Sequence, residues 1–294
     1  MNGPISFARL AQDVVLQVAK NTAMGVPVVR SWRLRRPRAG AAFDGKPESL
    51  ERFAFLGLRA LWAVVGDVRG LRIAEIGPGD YLTSGLALLA AGAKTYTAID
   101  RFPGAYGGPE AKSWYRGIRD AWPRTFPDRA WPDDLEPEAF PESYPHRVET
   151  IARPIEAIAA EERFDLVCSF QVGEHVTDLH AFARVNAKLL VPGGTAIHRV
   201  DFGPHDCWCR YDDPMTFLRF PEWLWRLMGS HRGTPNRFRH HEFLEAFDRA
   251  GLTPRRPPLT DAFDVVRPAH LARRFKEMPV ESLRVQSAIY VYGR

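Results

Sequence analysis

Residues 71–100 read LRIAEIGPGDYLTSGLALLAAGAKTYTAID. The first six residues are an apolar run in which Glu75 is the only acid, the pattern of a short buried strand. Gly77, Pro78 and Gly79 then force a sharp turn, since glycine reaches backbone angles that a Cβ forbids and proline fixes its own. Residues 83–91 are apolar nearly all round, as in a helix buried on a sheet, and Gly92 ends it. Residues 96–99 form a second strand, closed by Asp100. A glycine turn before a helix lets a ligand approach free backbone N–H groups. An acid roughly 20 residues further on, at the end of the next strand, accepts hydrogen bonds from a ribose. The stretch therefore predicts a doubly wound α/β fold that binds a nucleoside-containing ligand at residues 77–79 and 100.

The residues beyond it extend the pattern. Residues 75–80 (EIGPGD) resemble motif I of the class I S-adenosylmethionine-dependent methyltransferases more than a dinucleotide G-x-G-x-x-G. Residues 164–176 (FDLVCSFQVGEHV) resemble that family's fourth strand and following loop, and residues 189–197 (LLVPGGTAI) its turn before the fifth strand. GPGD followed by GLALLAAGA, with HRVDF at 198–202, resembles methyltransferases of bacterial surface-glycan and natural-product gene clusters. The resemblance is clear over residues 71–202. It implies a Rossmann-like, mostly parallel seven-stranded sheet with an antiparallel last strand, and it implies S-adenosyl-L-methionine as cofactor with S-adenosyl-L-homocysteine as product. Glu75 would engage the methionine end through the turn it anchors, and Asp100, with Arg101 beside it, would hold the ribose. An acid often follows the third strand to hold the adenine. Here Arg153 and Pro154 stand in that region, leaving the Ile155 backbone or Glu156. Tyr81 stands where a third glycine would be.

Ligands in open α/β sheets bind at the carboxyl ends of strands. Ser169, Phe170 and Gln171 are therefore expected to line the cofactor, and His198 and Asp201 to face the acceptor. Histidine titrates near neutrality and can take a hydroxyl proton, and a carboxylate can orient it. His198 is the expected base, with His175 and His205 as competitors. Quinone O-methyltransferases carry E-x-x-E-H here and associate it with a divalent cation; Gln171 replaces the first acid, so no metal is expected. Cys207 and Cys209 have no second pair and are poor zinc spacing with His205.

The chain divides into an N-terminal arm, residues 1–47, and a methyltransferase domain, residues 48–294, with substrate-side insertions or lids at 102–147 and 203–240. In residues 5–20, Phe7, Leu10, Ala11, Val14 and Val18 share one helical face, and RSWRLRRPR follows at 30–38 with five arginines. A basic run beside an amphipathic helix suits a membrane-surface contact through residues 1–38; the other reading is a helix packed on its own domain and a solvated linker. Residues 102–147 hold eight prolines with interleaved aromatics, a long loop whose rings either stack on an acceptor or staple the insertion down. Arg237 and Arg239 either clamp an anion or pair at the surface.

With 294 residues, 45% hydrophobic and 26% charged, the chain has an ordinary globular composition, and its net charge of +5 is modest. Three cysteines make no disulfide framework, no run approaches the about 20 apolar residues of a membrane span, and a signal peptide is not expected. A cytoplasmic enzyme follows, at the inner membrane face if the arm binds lipid. The acceptor is expected to be a small molecule or glycan, methylated at oxygen. Nucleic acid is not expected as a partner, though an RNA methyltransferase and a non-catalytic cofactor binder stay open as alternatives.

Overall fold

The computed structural model describes residues 6–34, 42–158, 163–264 and 270–294. Helices α1 (Phe7–Gly25) and α2 (Pro27–Leu34) form the N-terminal arm. α3 (Pro47–Leu50), a π-helical turn (Glu51–Phe55) and α4 (Leu56–Val65) lead into the sheet. Then come β1 (Arg72–Ile76), α5 (Thr83–Ala90), β2 (Thr95–Ile99), α6 (Pro109–Thr125) and β3 (Val148–Ile151). β4 (Phe164–Phe170), α7 (Leu179–Leu189) and β5 (Leu190–Asp201) follow, then α8 (Glu222–Gly229) and α9 (His240–Arg249). The chain closes with β6 (Thr253–Pro254), β7 (Leu259–Ala262), α10 (Arg273–Lys276), α11 (Val280–Arg284) and β8 (Val285–Gly293).

The strands lie in the order β3-β2-β1-β4-β5-β8-β6, with β7 also on β8. β1 to β5 pair in parallel and β8 runs antiparallel to β5. The order reverses between β1 and β4, so their carboxyl ends form the crevice of a doubly wound sheet. The sheet has eight strands rather than seven because the sixth position is split: β6 and β7 pair with different stretches of β8, separated by residues 255–258 with Pro257 and Pro258, which lack the ladder N–H.

Both sheet faces are covered. One core joins α4, α5 and α6 to the sheet through Leu58, Leu86, Tyr96 and Trp122; the other joins α7 and α9 to it through Phe182, Val200, Phe247 and Tyr290. A third cluster stands apart from the sheet. Trp208, Tyr211, Phe217 and Trp225 pack there with Phe263, Phe275 and Leu283, and with Leu10, Val14 and Val18 of α1. This cap is thus assembled from three remote segments of chain.

Two local readings change. The insertion is not a loop throughout: α6 turns Ala111, Trp114, Tyr115, Ile118 and Trp122 inward at helical spacing. Its prolines escape conflict because Pro109 opens the helix, where an N–H is unneeded, and Pro123 stands in its last turn. After β4, Glu174 and His175, which read from the sequence as the opening of the next helix, fall outside it. Residues Gly173–His175 make a single 3-10 turn, and α7 starts only after Asp178, whose Oδ1 accepts the Ala181 N–H at 2.8 Å as an N-cap.

Candidate active site at the carboxyl ends of the strands

The glycine turn leaves β1 with the Gly77 N–H bonded to the Ile99 carbonyl at 2.8 Å. Gly77 has φ +67°, and a Cβ on it would meet Val172 Cγ2 at 2.5 Å, so the loop after β4 seats directly against the turn. Gly79 has φ +88° and open space where a Cβ would stand. That open side suits a ligand approaching bare backbone, and the half-buried Asp100 follows the neighbouring strand β2. Tyr81 turns away toward Trp114, 6.2 Å between ring centroids, so the missing third glycine does not block the turn.

Glu75 does not reach the ligand side. Its carboxyl is buried beneath α5 and accepts the Tyr96 hydroxyl at 2.5 Å. Burial pushes its pKa up to about 7, and the Tyr96 hydrogen bond opposes that rise. It anchors the turn from within. Asp100 ends β2 and accepts the Phe102 N–H at 2.7 Å, while Arg101 is exposed and lays its guanidinium over the Phe102 ring at 5.1 Å.

Past β3, Ile155 is buried in the core of the α7 face, and the Glu156 carboxylate is taken up by Thr177, accepting its N–H at 2.9 Å and its hydroxyl at 3.1 Å. Glu156 thus braces the loop before α7 in this structure.

The fourth and fifth strands bring the largest corrections. Ser169 and His198 are fully buried, and Ser169 Oγ meets His198 Nδ1 at 2.8 Å. The His198 ring stacks on Phe247 at 5.7 Å and packs beside Phe182, inside the helix layer. Burial pushes its pKa down to about 3, so it is neutral. A side chain with no exposed surface cannot take a proton from an acceptor, and His198 leaves the list of candidate bases. Pleat direction decides this: on a strand, neighbouring positions face opposite sides, and His198 falls on the core side. Ser169 likewise does not line the cofactor. Phe170 packs toward Gly57 beneath the sheet's other face, while Gln171 is exposed at φ +59°, its N–H bonded to the Arg199 carbonyl.

His175 and His205 do meet. Their rings lie edge to face with centroids 5.6 Å apart, His175 exposed and His205 half-buried with Nε2 lacking a hydrogen-bond partner. Beside them, Asp201 accepts the Gly203 N–H at 2.7 Å. Glu174, which the sequence suggests only as the opening of a helix, is 3% exposed, and neither carboxylate oxygen has a well-formed hydrogen bond. Burial, with the Asp201 charge adding to it, pushes its pKa up to about 8; nearby backbone N–H groups and Arg199 offset only part. Perturbed acids of this kind mark functional clefts. The E-H dipeptide after the fourth strand was the signal for it.

The arginines of the 236–243 block neither clamp an anion nor pair at the surface in the way expected. Arg239 is buried and donates to the carbonyls of Phe202, Leu283 and Val285. Arg237 is buried, donating to the Phe220 carbonyl and pairing with Glu222 at 2.5 Å. Asn236 donates to the carbonyls of Gly173 and Val176, at 2.8 and 3.0 Å, and so pins the turn that carries Glu174 and His175. The insertion's aromatics are structural too: Tyr115, Trp122 and Phe140 are wholly buried.

A family model described as a methyltransferase domain matches residues 48–256. The chain belongs to this methyltransferase family. It is an S-adenosylmethionine-dependent enzyme of class I, and S-adenosylhomocysteine is its product. No curated protein matches it in sequence. Among solved structures, it is similar to an S-adenosylmethionine-dependent methyltransferase from Mesorhizobium loti, at 16% identity and TM-score 0.46, over 80% of this chain and 96% of that one. It is similar to geranyl diphosphate C-methyltransferase from Streptomyces coelicolor, at 13% identity and TM-score 0.46, over 82% and 78% of the two chains. Phosphoethanolamine N-methyltransferase 2 from Haemonchus contortus matches at 11% identity and TM-score 0.46, over 82% and 52%.

Proposed function

We propose that this methyltransferase acts on a hydroxyl oxygen of a small molecule or glycan, in surface-glycan or natural-product biosynthesis, with His175 as the base. The observation that carries the reading is the meeting of His175, on the loop after β4 that seats against Gly77, with His205, on the loop after β5. S-adenosylmethionine supplies a methyl group already attached to a good leaving group. The residues fit it: the open side of Gly79 admits the approach of its backbone-facing end, and Asp100 stands where a ribose is held. The protein's work is then positioning and the proton. His175, the exposed member of the pair, takes the hydroxyl proton; His205 packs its ring edge to face with that imidazole and sets its orientation. Asn236 fixes the turn beneath both. The cap of residues 203–240 roofs the acceptor side and excludes water. Cys168, Cys207 and Cys209 form no disulfide, which supports a reducing cytoplasm as the setting.

The test is release of S-adenosylhomocysteine across a panel of hydroxyl, amine and carbon acceptors. His175→Ala is expected to cut turnover by about 10²–10⁴-fold, the usual size of general-base catalysis, with cofactor affinity kept. Wild-type turnover in that variant, or reaction only with carbon acceptors, overturns the assignment.

A further inference from the structure

The arm docks through a mixed face, with a polar stripe at its centre. Asp13, Gln17 and Asn21, one turn apart along α1, are the residues of that helix that become buried. Asp13 accepts the Tyr211 hydroxyl at 2.5 Å and pairs with Arg210 at 3.1 Å. Gln17 donates to Cys207, and Asn21 donates to the Leu227 carbonyl and accepts the His231 N–H. Leu10, Val14 and Val18 flank this stripe against the cap, but the rest of the arm's apolar surface is left outside. Phe7 is 87% exposed, Val15 68%, Val28 78% and Trp32 54%; on α8, which packs against α1, Trp223 is 65% and Leu227 48% exposed. Large exposed apolar patches mark binding surfaces.

The charge of the arm is almost wholly positive, and the acid of α8, Glu222, is taken up by Arg226 and Arg237. Residues 1–38 hold Arg9, Lys20 and the five arginines of 30–38 against one acid, Asp13, and that acid is buried in its pair with Arg210. The stretch 35–38 of the basic run lies outside the described residues. Exposed apolar side chains, two of them tryptophans, on an arm whose described cations are Arg9, Lys20 and Arg30 match the boundary of an anionic bilayer. No helix among the described residues is long and apolar enough to cross a membrane, so the contact is peripheral. The patch also borders the active site: Arg30 of α2 lies 5.8 Å from the Phe102 ring centroid, and the Phe102 N–H bonds to Asp100.

We propose that the α1–α2 arm and the outer face of α8 dock on the anionic surface of a lipid bilayer, holding the mouth of the cleft against the headgroups. This stands apart from the choice of acceptor atom. The experiment is co-sedimentation of the full chain with vesicles of phosphatidylcholine, with and without phosphatidylglycerol, beside the double variant Phe7→Glu/Val28→Glu. Both positions are mainly solvent-exposed, so the fold is spared. The wild type is expected to bind the phosphatidylglycerol vesicles, to bind the neutral ones far less, and to be released at about 1 M salt, where screening is within about 3 Å. The variant is expected to bind at least about tenfold more weakly, with unchanged circular dichroism and S-adenosylhomocysteine affinity. Equal wild-type binding to both vesicles, no binding to either, or undiminished binding of the variant overturns the proposal. So does light scattering that finds a wild-type dimer and a monomeric variant, which gives the face to a second copy.

Discussion

Glu174→Gln tests the most unusual electrostatics in the site. In the wild type a carboxyl that ordinarily titrates near 4.5 is held to about 8, because burial removes water from the charged form and Asp201 repels it. An acid whose pKa is raised by folding stabilises the native state fully below its unfolded pKa. Between about pH 4.5 and 8 the unfolded chain releases its proton and the native chain keeps it, so stability falls as pH rises through that window. The loss runs at no more than about 1.4 kcal/mol per pH unit, a ceiling of roughly 5 kcal/mol over the window. Local opening that admits water relieves part of the cost, and a net loss of about 2–3 kcal/mol is expected. Glutamine has the same shape and does not ionise. Urea denaturation of both proteins from pH 5 to pH 9 is the assay. The variant's advantage should grow with pH to about 2–3 kcal/mol at the alkaline end. Glu75, raised to about 7 by its own burial, slopes both curves alike and cancels. Parallel curves would show that Glu174 ionises normally in the folded protein and would remove the strained carboxyl from the site.

Asp100→Ala should weaken S-adenosylhomocysteine binding by about 1–3 kcal/mol through lost charged hydrogen bonds; calorimetry that finds equal affinity counts against the ribose role. His198→Leu should cost about 1–3 kcal/mol of stability by stranding the Ser169 hydroxyl while turnover per folded molecule persists, and a collapse of turnover in a stable variant would return His198 to the mechanism. Gly77→Ala combines a positive φ with a clash against Val172, so cofactor affinity should fall steeply even where the fold survives; tight binding by a folded variant refutes the account of the turn. Asn236→Ala should lower turnover with little change in cofactor affinity, because it frees the turn carrying His175; an effect on affinity alone would refute that.

The parallel sheet was legible because its strands are continuous apolar runs punctuated by glycine, a pattern that needs no partner to be recognised. Residues 71–100 declared strand, turn, helix and strand within a residue or two of the observed bounds. The site was legible only in part. Strand ends can be placed from sequence, but the side each residue faces depends on register, and a single step sends His198 into the core instead of the cleft. Glu156 and Arg239 look free in a string of letters; Thr177 and the carbonyls of residues 202, 283 and 285 occupy them, through contacts made only after folding. α6 was hidden by its prolines, which signal breaks unless they fall at a helix end. The arm was legible in part: Leu10, Val14 and Val18 of its apolar face do pack on the cap, but Tyr211, Arg210 and Arg232 also draw in Asp13 and Gln17, a polar stripe that periodicity does not reveal.

The cap that we propose as the roof of the site joins segments far apart in the chain. Asp13 and Tyr211 stand 198 positions apart in the chain, and Phe275 and Leu283 complete the same cluster. Contacts of such long sequence separation close late, since the loop entropy must be met before they form. During synthesis the parallel strands β1 to β5 and the crevice at their ends can therefore take shape before residues 263–283 emerge to finish the ceiling. A nascent or N-terminally clipped enzyme would bind nucleoside before it could shelter methyl transfer from water.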